Sequence, residues 1–181
     1  MTTLGMTTST LILIDFQTRL MKAIDEAESV VANAARLQAA ARLLEVPVLL
    51  TEQNPAGLGP TVPELRPQAE AAGSAILAKQ TFDAARAPGF FESLPQRPEL
   101  VIAGCEAHVC VLQTALGLMA AGRRVHVVRD AIGARRPESK AAALERLARH
   151  GAEIVTTEMV LFEWLESAEH PRFREVVALI K

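Results

Sequence analysis

An acid, an ammonium group and a thiol each follow a short apolar run in this chain. Leu11-Ile12-Leu13-Ile14 stops at Asp15, Ala75-Ile76-Leu77-Ala78 stops at Lys79, and Gly104 leads through Cys105-Glu106-Ala107-His108-Val109 to Cys110. A thiol attacks carbon only after its proton has gone. A carboxylate at a buried strand end can accept that proton, and a neighbouring ammonium group stabilises the thiolate. Cys110 has the strongest local case, because it falls where a helix begins directly after a strand and a Gly-containing turn. Unpaired backbone N–H groups there favour an anion, and the amides of Val109 and Cys110 are positioned to hold an oxyanion.

Each residue also has a plainer reading. Asp15 can cap a neighbouring loop or helix, Lys79 can be a surface lysine, and Cys110 can be an inert buried thiol. Cys105, at the end of a buried strand, reads as packing. Gln17 follows Asp15 by two residues, on the same face if the strand continues, and is a candidate to orient a loop or a substrate. Phe82, His108 and Trp164 are candidate pocket residues, with core packing as the alternative for the two aromatics. His108 and Cys110 do not face each other on a helix, which argues against a Cys–His pair. His126, His150 and His170 are scattered without metal-ligand spacing, so no metal or other cofactor is expected. Arg135 and Arg136 read as solvated loop arginines.

The elements that must position these groups alternate between strand and helix. Strands are expected at Leu11–Phe16, Val46–Thr51, Ser74–Lys79, Glu99–Gly104, Val125–Arg129 and Glu153–Thr156, from short apolar runs of the kind buried on both faces. Helical spacing joins Val30, Ala34, Leu37, Ala41 and Leu44. Helices are also expected over Val109–Ala121, closed by Gly122, over Pro137–His150, Thr157–Leu165 and Phe173–Ile180. Glu52–Gly73 reads as a long loop with a short helix. The alternation predicts an α/β fold, a three-layer sandwich around a parallel sheet, as a single domain over 1–181. Its first strand runs into Asp15-Phe16-Gln17 rather than a Gly-rich turn, which disfavours dinucleotide binding.

Composition narrows the class. Of 181 residues half are hydrophobic, 22% are charged, and the formal net charge is −2, as expected for a globular domain with a sizeable core. No basic stripe and few aromatics speak against a nucleic-acid partner. The first apolar run is too short for a signal or a membrane span. Two cysteines five apart match neither a redox CxxC nor a zinc half-site, which fits free thiols in the cytoplasm.

Taken together, Leu11–Gln17 with its apolar-D-x-Q pattern, Lys79, and the block from Gly104 through Cys110 to Thr114-Ala115 resemble the isochorismatase-like (cysteine hydrolase) superfamily. The segments Thr51–Leu65 and Glu158–Phe162 are similar to its YcaC-related, isochorismatase-domain-containing branch. The resemblance implies a doubly wound six-stranded sheet of order 3-2-1-4-5-6 and a catalytic triad of Asp15, Lys79 and Cys110. It implies a non-proline cis peptide between Cys105 and Glu106, in a loop that with Val109 and Cys110 faces the oxyanion. It also implies a homodimer or larger homo-oligomer. In that sheet order Lys79 lies two strands from the first, roughly 10 Å, so its side chain must reach inward. Nicotinamidases of the superfamily hold zinc with an Asp and two His, whereas the corresponding loop here reads Glu52-Gln53-Asn54. The expected activity is metal-free hydrolysis of an amide-like C–N bond of a small molecule through a thioester. A thiol redox sensor and a non-catalytic binding module are the alternatives on the same fold.

Overall fold

Alternation of apolar side chains along the strands decides which residues enter which layer. The structure is a computed structural model that describes residues 3–66 and 75–181. Its strands are β1 (Ser9–Ile14), β2 (Val48–Gln53), β3 (Ala75–Lys79), β4 (Glu99–Cys105), β5 (Arg124–Gly133) and β6 (Glu153–Val155). All neighbours are parallel, in the order β3-β2-β1-β4-β5-β6, which is the expected doubly wound arrangement. The longer helices are α1 (Ala27–Leu43), α2 (Leu112–Ala120), α3 (Pro137–Arg149), α4 (Thr157–Leu165) and α5 (Phe173–Val177).

Successive strand residues point to opposite faces. Leu11, Leu13, Val101, Ala103 and Cys105 therefore enter one core, with α1, α4 and α5. Ile12, Ile14, Leu100, Ile102 and Val127 enter the other, with α2 and α3. The helix α1 lays Val30, Ala34, Leu37 and Ala41 into the first core, the i, i+4, i+7, i+11 rows of a single face. Pro137 occupies the first turn of α3, where its missing N–H costs nothing. The Thr156 hydroxyl accepts from Met159 N–H and caps α4.

One close approach matters for the site. Ile14 and Gly104 are register partners of β1 and β4, and a Cβ at Gly104 would lie 2.2 Å from the Ile14 carbonyl oxygen. Only glycine lets these two strand ends lie so close. The chain after β1 and the chain after β4 consequently emerge side by side.

Several boundaries differ from those expected, and two of them serve the site. Strand β2 starts and ends two residues later. Val46 N–H still closes the turn after α1 on Ala41 carbonyl, and pairing with β3 continues to Gln53↔Lys79. The helix expected from Val109 begins earlier, as a wide π-turn over Ala107–Val111 that runs into α2, with Val111 N–H donating to Glu106 carbonyl at 3.2 Å. Such wide turns are often found at functional sites. Strand β5 extends to Gly133, past an irregularity in its pairing with β4, and the last expected helix divides into α5 and a tighter turn at Ala178–Ile180. Residues 67–74, the end of the expected long loop and Ser74, lie outside the described residues. Among the described residues no helix is long and apolar enough to cross a membrane.

Candidate active site

Asp15 is the first residue past β1 and adopts φ 55°, a left-handed backbone that aspartate tolerates better than most residues. Its N–H still donates to the Thr51 carbonyl at 3.1 Å, and its own carbonyl accepts from Gln17 N–H at 2.9 Å. The carboxylate is therefore set at the sheet edge by a sharp turn. The Thr51 hydroxyl donates to Oδ1 at 2.6 Å and Lys79 Nζ donates to Oδ2 at 2.7 Å. Neither charged side chain has any exposed surface.

Lys79 does reach inward. Its ammonium group donates a second bond to Gln53 Oε1 at 2.8 Å, and Gln53 is its register partner in β2. Gln53 is itself held: its side-chain amide donates to the Gln80 carbonyl, and its backbone exchanges two bonds with the Gln17 side chain. Gln17 also donates to the Gly59 carbonyl at 2.6 Å. It is a fully buried clamp between the end of β2 and the following loop, so it orients the loop.

Cys110 sits within the π-turn, 6% exposed, on the same cavity wall as Asp15 and near enough for the Asp15 and Lys79 charges to act on its thiol. Burial pushes its thiol up, the Asp15 carboxylate pushes it further, and the Lys79 ammonium only partly offsets them, leaving it at about 12. The helix start favours a thiolate, but burial and the Asp15 charge weigh more and keep the thiol neutral. The ammonium group is already balanced by the carboxylate in contact with it, and the backbone amides do not make up for removal from water. Alkylation by iodoacetamide should accordingly keep accelerating from pH 7 to pH 10. A rate that levels off just above the ordinary thiol value of about 8.5 would mean that burial does not raise the thiol, and one already flat at pH 7 would mean a resting thiolate; either contradicts this account.

These groups border a cavity of about 350 Å³. Leu20, Ala23, Leu58, Phe82 and Val109 supply its apolar wall, and Arg19, Glu106 and Arg135 its charged rim. Glu106 accepts from Arg135 Nε at 3.0 Å and from its backbone N–H at 3.1 Å. A larger groove of about 530 Å³ lies on the other side of Phe82, along Asp83, Arg86 and Gln113. It holds no cysteine, and Asp15 and Cys110 border the smaller cavity instead. The peptide bond between Cys105 and Glu106 is cis.

The family model for the isochorismatase domain matches residues 9–159, from β1 into α4. This chain belongs to the isochorismatase family. Human isochorismatase domain-containing protein 2 is 42% identical over 176 residues, covering 96% of this chain and 83% of the relative. The solved structure of the MAR1 ribonuclease from Caenorhabditis elegans is 33% identical with a TM-score of 0.91, covering 98% of this chain and 92% of that one. YcaC from Escherichia coli, described as an octameric hydrolase of unknown specificity, is 26% identical with a TM-score of 0.89 over 99% and 88% of the two chains. YcaC from Pseudomonas aeruginosa, solved with covalent acrylamide, is 25% identical with a TM-score of 0.91 over 98% and 91%.

Not every residue expected at the site of this isochorismatase-family chain reaches it. Trp164 is fully buried in the core under α1 and α4, on the opposite face of the sheet from Cys110, because its helix packs there. His108 is half-buried in the π-turn and does not border the cavity. Cys105 is completely buried in the first core and Cys110 lies in the second, so strand alternation separates the two sulfurs by the sheet. Val109 N–H donates to the Glu106 carbonyl at 3.0 Å and is not available to an oxyanion, since the turn itself consumes it. Phe82 does line the cavity, and Arg135 lies on its rim rather than in a remote loop. Among the described residues no three His, Cys, Asp or Glu side chains converge as a metal site, and the Glu52 carboxylate accepts from Thr61 N–H and hydroxyl.

Thr51, Gln53 and Arg19 were not singled out from the sequence. The first two carry a readable signal, since residues 51 and 53 share one strand face once β2 is extended to its true end. Arg19 carries none, because a loop places it.

Proposed function

We propose that this protein is a cysteine-dependent hydrolase of small molecules with an amide-like C–N bond. The observation that carries the reading is the placement of the Cys110 thiol beside the buried Asp15–Lys79 pair at the wall of a cavity. Asp15 accepts the thiol proton as the sulfur attacks the carbonyl carbon, and Lys79 offsets the negative charge that develops. The Cys110 N–H and the opening amides of the π-turn other than Val109, which is bonded to the Glu106 carbonyl, receive the oxyanion. Collapse of the tetrahedral species breaks the C–N bond, and the proton on Asp15 passes to the leaving nitrogen. Asp15 then takes a proton from water, which attacks the thioester carbonyl and releases the carboxylic acid and the thiol.

The covalent acrylamide in the Pseudomonas protein supports an electrophile-accessible group on this fold. The octameric state of the Escherichia coli protein supports a homo-oligomer here. The ribonuclease name belongs to the nematode protein; a cavity of about 350 Å³ suits a small molecule. A two-cysteine redox cycle loses its resolving partner, because Cys105 lies across the sheet. The test is rapid acid quenching after incubation with a mixed amide library, followed by intact-mass and peptide analysis. An acyl mass on the peptide carrying Cys110 is expected; turnover with the acyl group on another residue would overturn the reading.

A further inference from the structure

The charges around the cavity do not cancel. Asp15 is paired with Lys79 and Glu106 with Arg135, and Cys110 is a neutral thiol at rest. Arg19 is the remaining charged side chain on the wall, and it has no carboxylate partner among the described residues. Its Nη1 donates to the Ala56 and Gly57 carbonyls at 3.2 and 2.9 Å. Those two bonds fix the guanidinium beside the loop that carries Leu58, another wall residue. A guanidinium has five N–H donors in a rigid fork, so the Nε and Nη2 donors are left over for something else.

We infer that the cavity takes a substrate bearing a carboxylate, and that Arg19 is the specificity-determining residue that receives it. The inference rests on the hydrolase reading for which bond is cleaved, but the charge selection stands on the cavity alone. A monoanion neutralises the one unbalanced positive charge, and a planar carboxylate matches the fork with two parallel hydrogen bonds. The apolar wall formed by Leu20, Ala23 and Phe82 then covers the carbon skeleton between carboxylate and scissile bond. A cation placed in the same cavity meets Arg19 without a counter-charge.

Acrylamides that share one electrophile and differ in their tails test this directly. N-propylacrylamide is neutral, N-acryloyl-β-alanine carries a carboxylate and N-(2-aminoethyl)acrylamide carries an ammonium group. Labelling rates of Cys110 are read by intact mass and each is divided by the rate with free N-acetylcysteine. The carboxylate probe should be favoured over the neutral one by about tenfold, with the ammonium probe slowest. In Arg19→Gln the carboxylate-to-neutral ratio should fall to that of the free thiol. Because Arg19 also braces a loop, salt supplies a check on the native protein: the ratio should shrink as ionic strength is raised. A native ratio equal to that of the free thiol overturns the inference, as does a preference that survives Arg19→Gln. These outcomes are separate from the fate of the hydrolase reading, since labelling needs no turnover and a neutral amide can still yield a Cys110 thioester.

Discussion

Cys110→Ala is expected to abolish acyl capture and to lower turnover of any amide substrate by a thousandfold or more, the order of loss seen when a covalent catalyst loses its nucleophile. The fold should survive, because the substitution removes one sulfur atom from a site that already borders a cavity. The stability cost is roughly 1 kcal/mol, at the low end for truncations in a core. Denaturant titration and turnover on the substrate found by adduct mapping measure the two effects separately. Full turnover in the variant would mean that Asp15 activates water directly and that no thioester forms.

Breaking the Asp15–Lys79 pair has the largest expected effect on stability. Both side chains lack exposed surface, and removing one partner leaves an uncompensated charge in the interior, at a cost of about 3–5 kcal/mol. Asp15→Asn and Lys79→Met should each show that loss, and the double variant should recover most of it while staying inactive. Loss below about 1 kcal/mol in either single variant, the range of exposed pairs, would mean that the pair is solvated. The same variants move the thiol in opposite directions. The Asp15 charge raises the Cys110 pKa and the Lys79 charge lowers it. Alkylation at pH 8 should therefore quicken in Asp15→Asn, which keeps the ammonium group, and slow further in Lys79→Met. Only the first of these gains reactivity, and it does so without gaining hydrolysis, because the proton acceptor has gone.

The opposed effects on Cys110 reflect what separates a reactive thiol from a catalytic one here. On the proposed reading, Cys110 stays protonated until a substrate arrives, with Asp15 beside it as the acceptor. That arrangement suits acyl transfer and is poorly suited to a peroxide sensor, which needs a standing thiolate.

Much of this was readable before any coordinates. Apolar runs ending at Asp15, Lys79 and Cys105 marked three strand ends and strand–helix alternation predicted a parallel sheet, while its order, as found, was implied by the family resemblance alone. These signals are local, since burial on both faces dictates a continuous apolar run and a helix face dictates its own spacing. The expected burial of Cys105 was legible for the same reason. What the sequence could not decide depends on distances between segments far apart in the chain. Gln53 meets Lys79 only because β2 ends two residues later than its composition suggests. Trp164 leaves the cavity because α4 packs on the far face of the sheet. Arg19 enters it because the Ala56 and Gly57 carbonyls hold it there. The protonation of Cys110 likewise depends on the tertiary structure. Helix-start position, visible in the sequence, favours a thiolate, whereas burial and the adjacent Asp15 charge, which only the tertiary structure brings to bear, hold the proton on sulfur.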